Sequence, residues 1–228
     1  MAPWLRIVPG VKAHCNVDVE ARVEAGEAWV ETLLACGQLE EAAAVTAELA
    51  AICHHKGLQL PWVKVLLLLA RVHQAAGSVV CALPYALSCR NLCKELHLEL
   101  LAAAATCTLA ELCLALGKAC CHVASLLAML RASLPLVLGQ GSMHLQVRTQ
   151  LAIANCVLSS ASPEELVADP DAALAPLAAA AEGAVKLGAL RMQAEAYHLQ
   201  AVVYNSLGRL EERDLAASHF QRCDHIAC

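Results

Sequence analysis

Apolar residues recur along this chain at helical spacing, in blocks several turns long that end in a polar hinge or a glycine. The stretch from Gly77 to Gly117 holds two such blocks joined by a short polar hinge. Gly37 stands forty residues before Gly77, and Gly77 forty before Gly117; Gly208 lies ninety-one further on, room for two more units and an insertion. The pattern predicts an array of helical hairpins. Residues 1–17, with Pro3, Pro9 and Gly10, show no helical period and read as an irregular lead-in. The hairpins are expected over 18–57, 60–96, 98–138, 143–188 and 189–228. Asp18 is the expected N-cap of the first helix, with Val19, Val23, Trp29, Val30, Leu33 and Leu34 as its buried side, and Pro61 is expected at the first position of the third. Ser162-Pro-Glu-Glu165 reads as a capping box and Asp169-Pro170 as a second helix start, so 160–171 is expected to be an insertion holding one short turn of helix.

Two helices joined by three or four residues pack antiparallel, and small side chains are needed where their axes come nearest. Ala42 and Ala82 each stand five residues after Gly37 and Gly77, about one turn into the second helix. A glycine that can take positive φ, followed by alanine five later at a period of 34 to 40, is the tetratricopeptide pattern. The expected fold is therefore all-α, a tetratricopeptide-like solenoid of about five antiparallel hairpins whose apolar faces are covered by stacking. His122 and Arg213 occupy the alanine place in two units and predict looser hairpins there; Pro84 predicts a small kink.

Composition narrows the class. Of the 228 residues, 59% are apolar but only 3% aromatic, so the core is built from Leu, Ala and Val, which favour helix over strand. Sixteen basic residues against twenty-one acidic ones, without long runs, lack the footprint of a nucleic-acid binder. The thirteen cysteines are odd in number, contain no Cys-x-x-Cys and sit mostly in apolar helical runs, and are expected to be reduced core residues of an intracellular protein. Arg6 and two prolines interrupt Met1–Gly10, which is not expected to be a signal peptide. The most apolar windows carry Glu99 and Glu111, or Arg131 and Pro135, and are expected to be buried helices with no membrane contact.

Candidate chemistry is sparse. The first helix of each tetratricopeptide hairpin lines the concave side of the array. Glu24, Glu27 and Glu31 form an acidic stripe on the first such helix, and Lys64, Arg71 and Gln74 a basic and polar stripe on the next. They are the candidate partner-binding residues, either as an ordinary solvated face or as a groove whose charge changes sign along it. Cys89, Cys93 and His97, four apart, share a helix face that could hold zinc with a fourth ligand, but thiol packing in the core is the expected reading, and no metal or cofactor is expected. Gly139-Gln-Gly-Ser142 lacks the context of a nucleophile elbow and no Walker A sequence occurs, so no enzyme activity is expected. Gly37, Ala42, Gly77, Ala82, Gly117 and Gly208 are structural hairpin positions.

From Cys81 to Gly117 the chain resembles a particular family, subunit 5 of the anaphase-promoting complex. Ala82-Leu83-Pro84, Lys94-Glu95 with Leu98, Leu109-Ala110 and Leu116-Gly117 fall in its register without a gap. Gln200-Ala201, Tyr204, Leu207-Gly208, Glu212-Arg213, Ala217 and Phe220 resemble the family's last hairpin, including Glu-Arg where a generic repeat has alanine. The resemblance covers roughly residues 60–228, outside the insertion, and only the C-terminal part of longer family members. It implies a non-catalytic platform subunit joining the ligase's scaffold to its cullin and RING arm, in nucleus and cytoplasm, with ubiquitin transfer left to other subunits. The competing expectation is a tetratricopeptide adaptor or sensor from an unrelated regulatory system.

Overall fold

The computed structural model describes residues 16–117 and 123–227, with the side chains of 16–18 and 224–227 left out of the description. The described residues form eleven helices: α1 (Asn16–Ala35), α2 (Leu39–Lys56), α3 (Gln59–Ala75), α4 (Val79–Glu95), α5 (Glu99–Leu116), α6 (Val123–Gln140), α7 (Met143–Ser160), α8 (Pro163–Ala168), α9 (Asp171–Leu187), α10 (Leu190–Ser206) and α11 (Leu210–Ala227). There is no strand among them. The chain forms two compact units, residues 1–112 and 113–228, divided near the end of α5. Most of the lead-in expected over 1–17, and the position His122, lie outside the described residues.

A helix ends where the backbone can turn, and here the turns keep a finer rhythm than the forty-residue glycine spacing. Gly37, Gly57, Gly77, His97 and Gly117 follow one another every twenty residues, and all five have positive φ. At Gly57 (φ 64°) the amide of Leu58 donates to the Cys53 carbonyl at 3.0 Å and that of Gly57 to His54 at 3.4 Å, closing α2 as a Schellman turn. Forty residues on, His97 repeats it at φ 55°, with Leu98 donating to Cys93 at 2.8 Å and His97 to Lys94 at 3.4 Å. A side chain thus stands where glycine is cheapest, at a cost of roughly 1 kcal/mol. α2 also carries Glu40 and Glu41 in its first turn and His54, His55 and Lys56 in its last, the arrangement its dipole favours.

Three starts differ from expectation or sharpen it. α1 is already helical at Asn16, so Asp18 lies within the helix and is not its cap. α3 begins at Gln59, which puts Pro61 at the third helical position; its missing N–H is still one of the first-turn donors that have no intrahelical acceptor. At α8, the Glu165 amide donates to Ser162 Oγ at 3.2 Å and the Ser162 amide to Glu165 Oε2 at 2.8 Å, a complete capping box.

In unit 1, α3 is buried on two faces. Val65, Leu68 and Val72 pack with Val23, Val30 and Leu33 of α1 and with Ala42, Val45, Leu49 and Cys53 of α2. Val63 and Leu66 turn the other way, to Cys89 and Cys93 of α4 and Ala105 of α5, while Ala70 joins Ala82, Ala86, Leu109 and Leu112. That double burial is why α3 reads apolar nearly all round. Val23, Val30 and Leu33 are buried as expected; Trp29, a hundred degrees round the helix from Val30, is 37% exposed. Ala42 and Ala82 are fully buried.

In unit 2, α7, α9 and α10 share one core in which α9 contributes Ala173, Leu177, Ala180, Ala181 and Ala184, and α8 lends Leu166. α9 comes so close to α7 that a Cβ on Gly183 would lie 2.6 Å from Val147 Cγ2. Arg213, at the alanine place of the last hairpin, is half-buried and donates to Asp214 Oδ1 at 2.7 Å and Asn205 Oδ1 at 3.3 Å; Ala216 fills the buried position.

By length and composition α5 and α6 are apolar enough to cross a membrane, so their single charges do not disqualify them as the sequence argument held. In α5 the charge serves the fold: Glu111 accepts from Gln74 Nε2 at 2.9 Å and Cys107 Sγ at 3.6 Å, and 44% of the helix is buried. α6 buries Leu126, Leu130 and Val137, with Arg131 and Pro135 exposed.

Candidate functional site

Glu24, Glu27 and Glu31 lie three and four residues apart, so helical geometry puts them on one side of α1. Lys64 and Arg71, two turns apart, do the same on α3. With α1 and α3 packed side by side, the two stripes meet. Lys64 Nζ is 3.5 Å from Glu27 Oε2, and Arg71 Nη1 donates to Glu31 Oε1 at 2.6 Å. Together with Ala28, Leu67, Leu68 and Leu101 they line a groove of about 450 Å³ across α1, α3 and α5. Gln74, the sixth candidate, is not among the lining residues; it reaches Glu111 instead.

The pairs follow the repeat. Glu31 and Arg71 are forty residues apart, and Gln74 and Glu111 thirty-seven, as are Glu27 and Lys64. Moving forty residues along the chain carries a side chain from one helix to the equivalent place on the next-but-one. Charges that look ready for a partner in the sequence therefore neutralise each other between α1 and α3. Unit 2 has a pair at the same spacing: Asn155 Nδ2 of α7 donates to Glu195 Oε1 of α10, again forty residues apart, at 3.2 Å.

Glu27 is the most perturbed carboxyl of the groove. Its side chain is 16% exposed, its Oε1 is fully buried, and no group among the described residues donates to that oxygen. Burial pushes its pKa above the usual carboxylate range; Lys64 opposes the shift, and Glu24 and Glu31 add to it. Beneath it the Cys53 thiol is pushed up to about 11, chiefly by burial and further by the Glu27 charge. A neutral, buried thiol beside a carboxyl is no nucleophile.

Cys36 and Cys81 are exposed, contrary to the core placement expected of the cysteines, whereas Cys89 and Cys93 follow it. Cys89 and Cys93 are fully buried with their sulfurs 4.0 Å apart, burial raises both thiol pKa values, and His97 is exposed in the turn. The helix face shared in sequence therefore splits between core and solvent. Among the described residues no three His, Cys, Asp or Glu side chains gather into a metal-binding set. Cys120 and Cys121 lie outside the described residues. Gly37, Gly77, Gly117 and Gly208 all sit in turns at positive φ, apart from the groove in their role.

The sequence stripes missed the groove's floor, Leu67, Leu68 and Leu101, because apolar residues carry no mark of which side they face. They also missed Glu111. The forty-residue spacing was the available signal: Glu31, Arg71 and Glu111 stand at equivalent places in three successive first helices.

No family model matches the chain. It is 42% identical over 207 residues to anaphase-promoting complex subunit 5 of Arabidopsis thaliana. The alignment takes in 91% of this chain and 22% of that protein, so the chain spans about a fifth of the length of the curated relative it matches. The resemblance read from Cys81–Gly117 and from the last hairpin is borne out, and extends well beyond those motifs.

Proposed function

We propose that this chain is a non-catalytic scaffold segment of the anaphase-promoting complex, joining other subunits through the surface of a tetratricopeptide-type array. The observation that carries the reading is the 42% identity to a subunit of that complex, sustained over 91% of the chain. The architecture is in keeping with it. α1 packs on α2 and on α3, and α7 on α9 and on α10, so these two first helices each meet their own partner and the first helix of the next unit. Side-chain pairs spaced by the repeat length fit the same scheme. On this reading the partners are the large scaffold subunit, the cullin and RING arm and neighbouring platform subunits, in nucleus and cytoplasm, and the process served is cell division. Neither nucleic acid nor membrane is a partner. Ubiquitin transfer is carried out by other subunits, since neither the groove nor the buried thiols offer an activated nucleophile with a base beside it.

The test is affinity purification of the tagged chain from dividing cells, followed by mass spectrometry. A cullin-containing ligase should be recovered stoichiometrically and survive a high-salt wash. Its absence, or recovery of an unrelated regulatory assembly in its place, overturns the reading. Ubiquitin transfer by the purified chain alone would overturn the non-catalytic part.

A further inference from the structure

In unit 1 a step of forty residues leads from one first helix to the same place on the next, so α1, α3 and α5 present comparable faces. On α3, Val65, Leu68 and Val72, with Leu69 packed beside them, form the face that meets α1 and α2, the hairpin before it. On α5 the equivalent Ala105, Leu109 and Leu112 meet α3 and α4 in the same way. Forty residues back from the α3 face stand Ala25, Ala28, Trp29 and Thr32 of α1, and all four are exposed. Spacings of three and four put them on one side of the helix. None carries a charge, and the one hydroxyl is satisfied internally, since Thr32 Oγ1 donates to the Ala28 carbonyl at 3.0 Å. A helix suited to water looks different: α11 turns Glu211, Asp214, Ser218 and Gln221 outward.

We infer that this side of α1 is an open stacking surface, and that it takes a helical hairpin supplied by another subunit. The inference rests on the docking role proposed above and names the surface and the class of partner. Continuity defines the occupant. α3 and α5 each set this face against a preceding hairpin, so the same place on α1 fits the same kind of element. Neighbour-to-neighbour stacking is how such arrays bury their apolar faces, and an end that stays in water needs a polar outer side, which these four residues do not provide. The chemistry required of the incoming helix is that of α2 toward α3, an aliphatic seam like Val45, Leu49 and Cys53. Ala25 and Ala28 let its backbone come close, and Trp29 supplies the largest apolar area.

The test is site-specific photo-crosslinking of the tagged full chain in dividing cells, with a photoreactive phenylalanine analogue at Ala25, at Thr32 or, as an exposed control, at Ser88 of α4. Ala25 and Thr32 should capture the same subunit, at residues about two turns apart on one of its helices, and Ser88 should not. Trp29→Ala should lower recovery of that subunit by about tenfold. Ala25→Arg should do the same and leave the thermal midpoint of the isolated chain unchanged, because the position is exposed. Capture of residues 1–15 of this chain, or of a second copy, assigns the surface to a different occupant and overturns the inference. So does a lowered midpoint in Ala25→Arg, which would mean that the chain already covers the face itself. If the ligase co-purifies but neither position captures any of its helices, the inference falls and the assembly reading stands. Capture of one helix of an unrelated protein at both positions would leave the stacking surface standing and remove the assembly reading.

Discussion

The two units solve one problem with different side chains. In unit 1 the first helices are held apart by Leu and Val and tied by ion pairs, Glu27 with Lys64 and Glu31 with Arg71. In unit 2, α9 is a run of alanines that lets α7 approach until Gly183 has no room for a Cβ beside Val147, and an Asn155–Glu195 hydrogen bond ties α7 to α10. The contrast is between spaced helices that can be tuned by charge and close helices that depend on the absence of side-chain volume. Unit 1 also has a close contact, since a Cβ on Gly26 would lie 2.6 Å from Leu49 Cδ2. The obstacle there is the end of a flexible leucine, whereas Val147 is β-branched and has one favoured rotamer in a helix.

The hardest blow to unit 1 is Ala82→Arg. Ala82 is fully buried against Ala70, Ala86, Leu109 and Leu112. The expected loss is about 4 kcal/mol or more, read as disappearance of hydrogen-exchange protection in α3 and α4. Unchanged protection would mean that Ala82 is not the hairpin contact. Next comes volume: Gly183→Val should cost about 3 kcal/mol in urea unfolding and Gly26→Val roughly half of that, because Leu49 can swing aside. Equal losses would remove the distinction between rigid and yielding contacts.

Smaller effects probe the turns and the charges. His97→Gly should stabilise the protein by about 0.5–1 kcal/mol, since glycine adopts positive φ without the Cβ clash, partly offset by its freer unfolded state. A double-mutant cycle on Glu31 and Arg71 should give a coupling below about 1 kcal/mol that shrinks in 0.5 M salt, because Glu31 is 58% exposed. Least in size is the pH dependence from Glu27. Its folded pKa lies above the unfolded value near 4.5, so the folded state holds the proton more tightly, and the contribution to stability is present below that pH and lost as pH rises through the folded pKa. Glu27→Gln should remove that component, giving a stability profile that falls less steeply above pH 4.5 than the parent's; parallel profiles would contradict the assignment.

Much of this fold was legible in the sequence because its signals are local. Helix ends at Gly57 and Gly188 and the Ser162 capping box depend on backbone conformations and donors that a few neighbouring residues specify. The turn at His97 was less visible because histidine is not a turn residue by composition; only its place in the twenty-residue rhythm marks it. Trp29 went astray because size suggests burial, while the helical angle from Val30 turns it outward.

What the sequence by itself determined is the set of helices, many of their ends and the acidic and basic stripes, since each follows from short-range spacing and backbone chemistry. Tertiary structure alone decided that the stripes face each other, that Glu27 keeps one oxygen buried without a donor among the described residues, and that Cys89 and Cys93 part company with His97. Those outcomes depend on which helix faces are brought together across about forty residues of chain, and a residue's own neighbours in sequence carry no record of what packing sets opposite it.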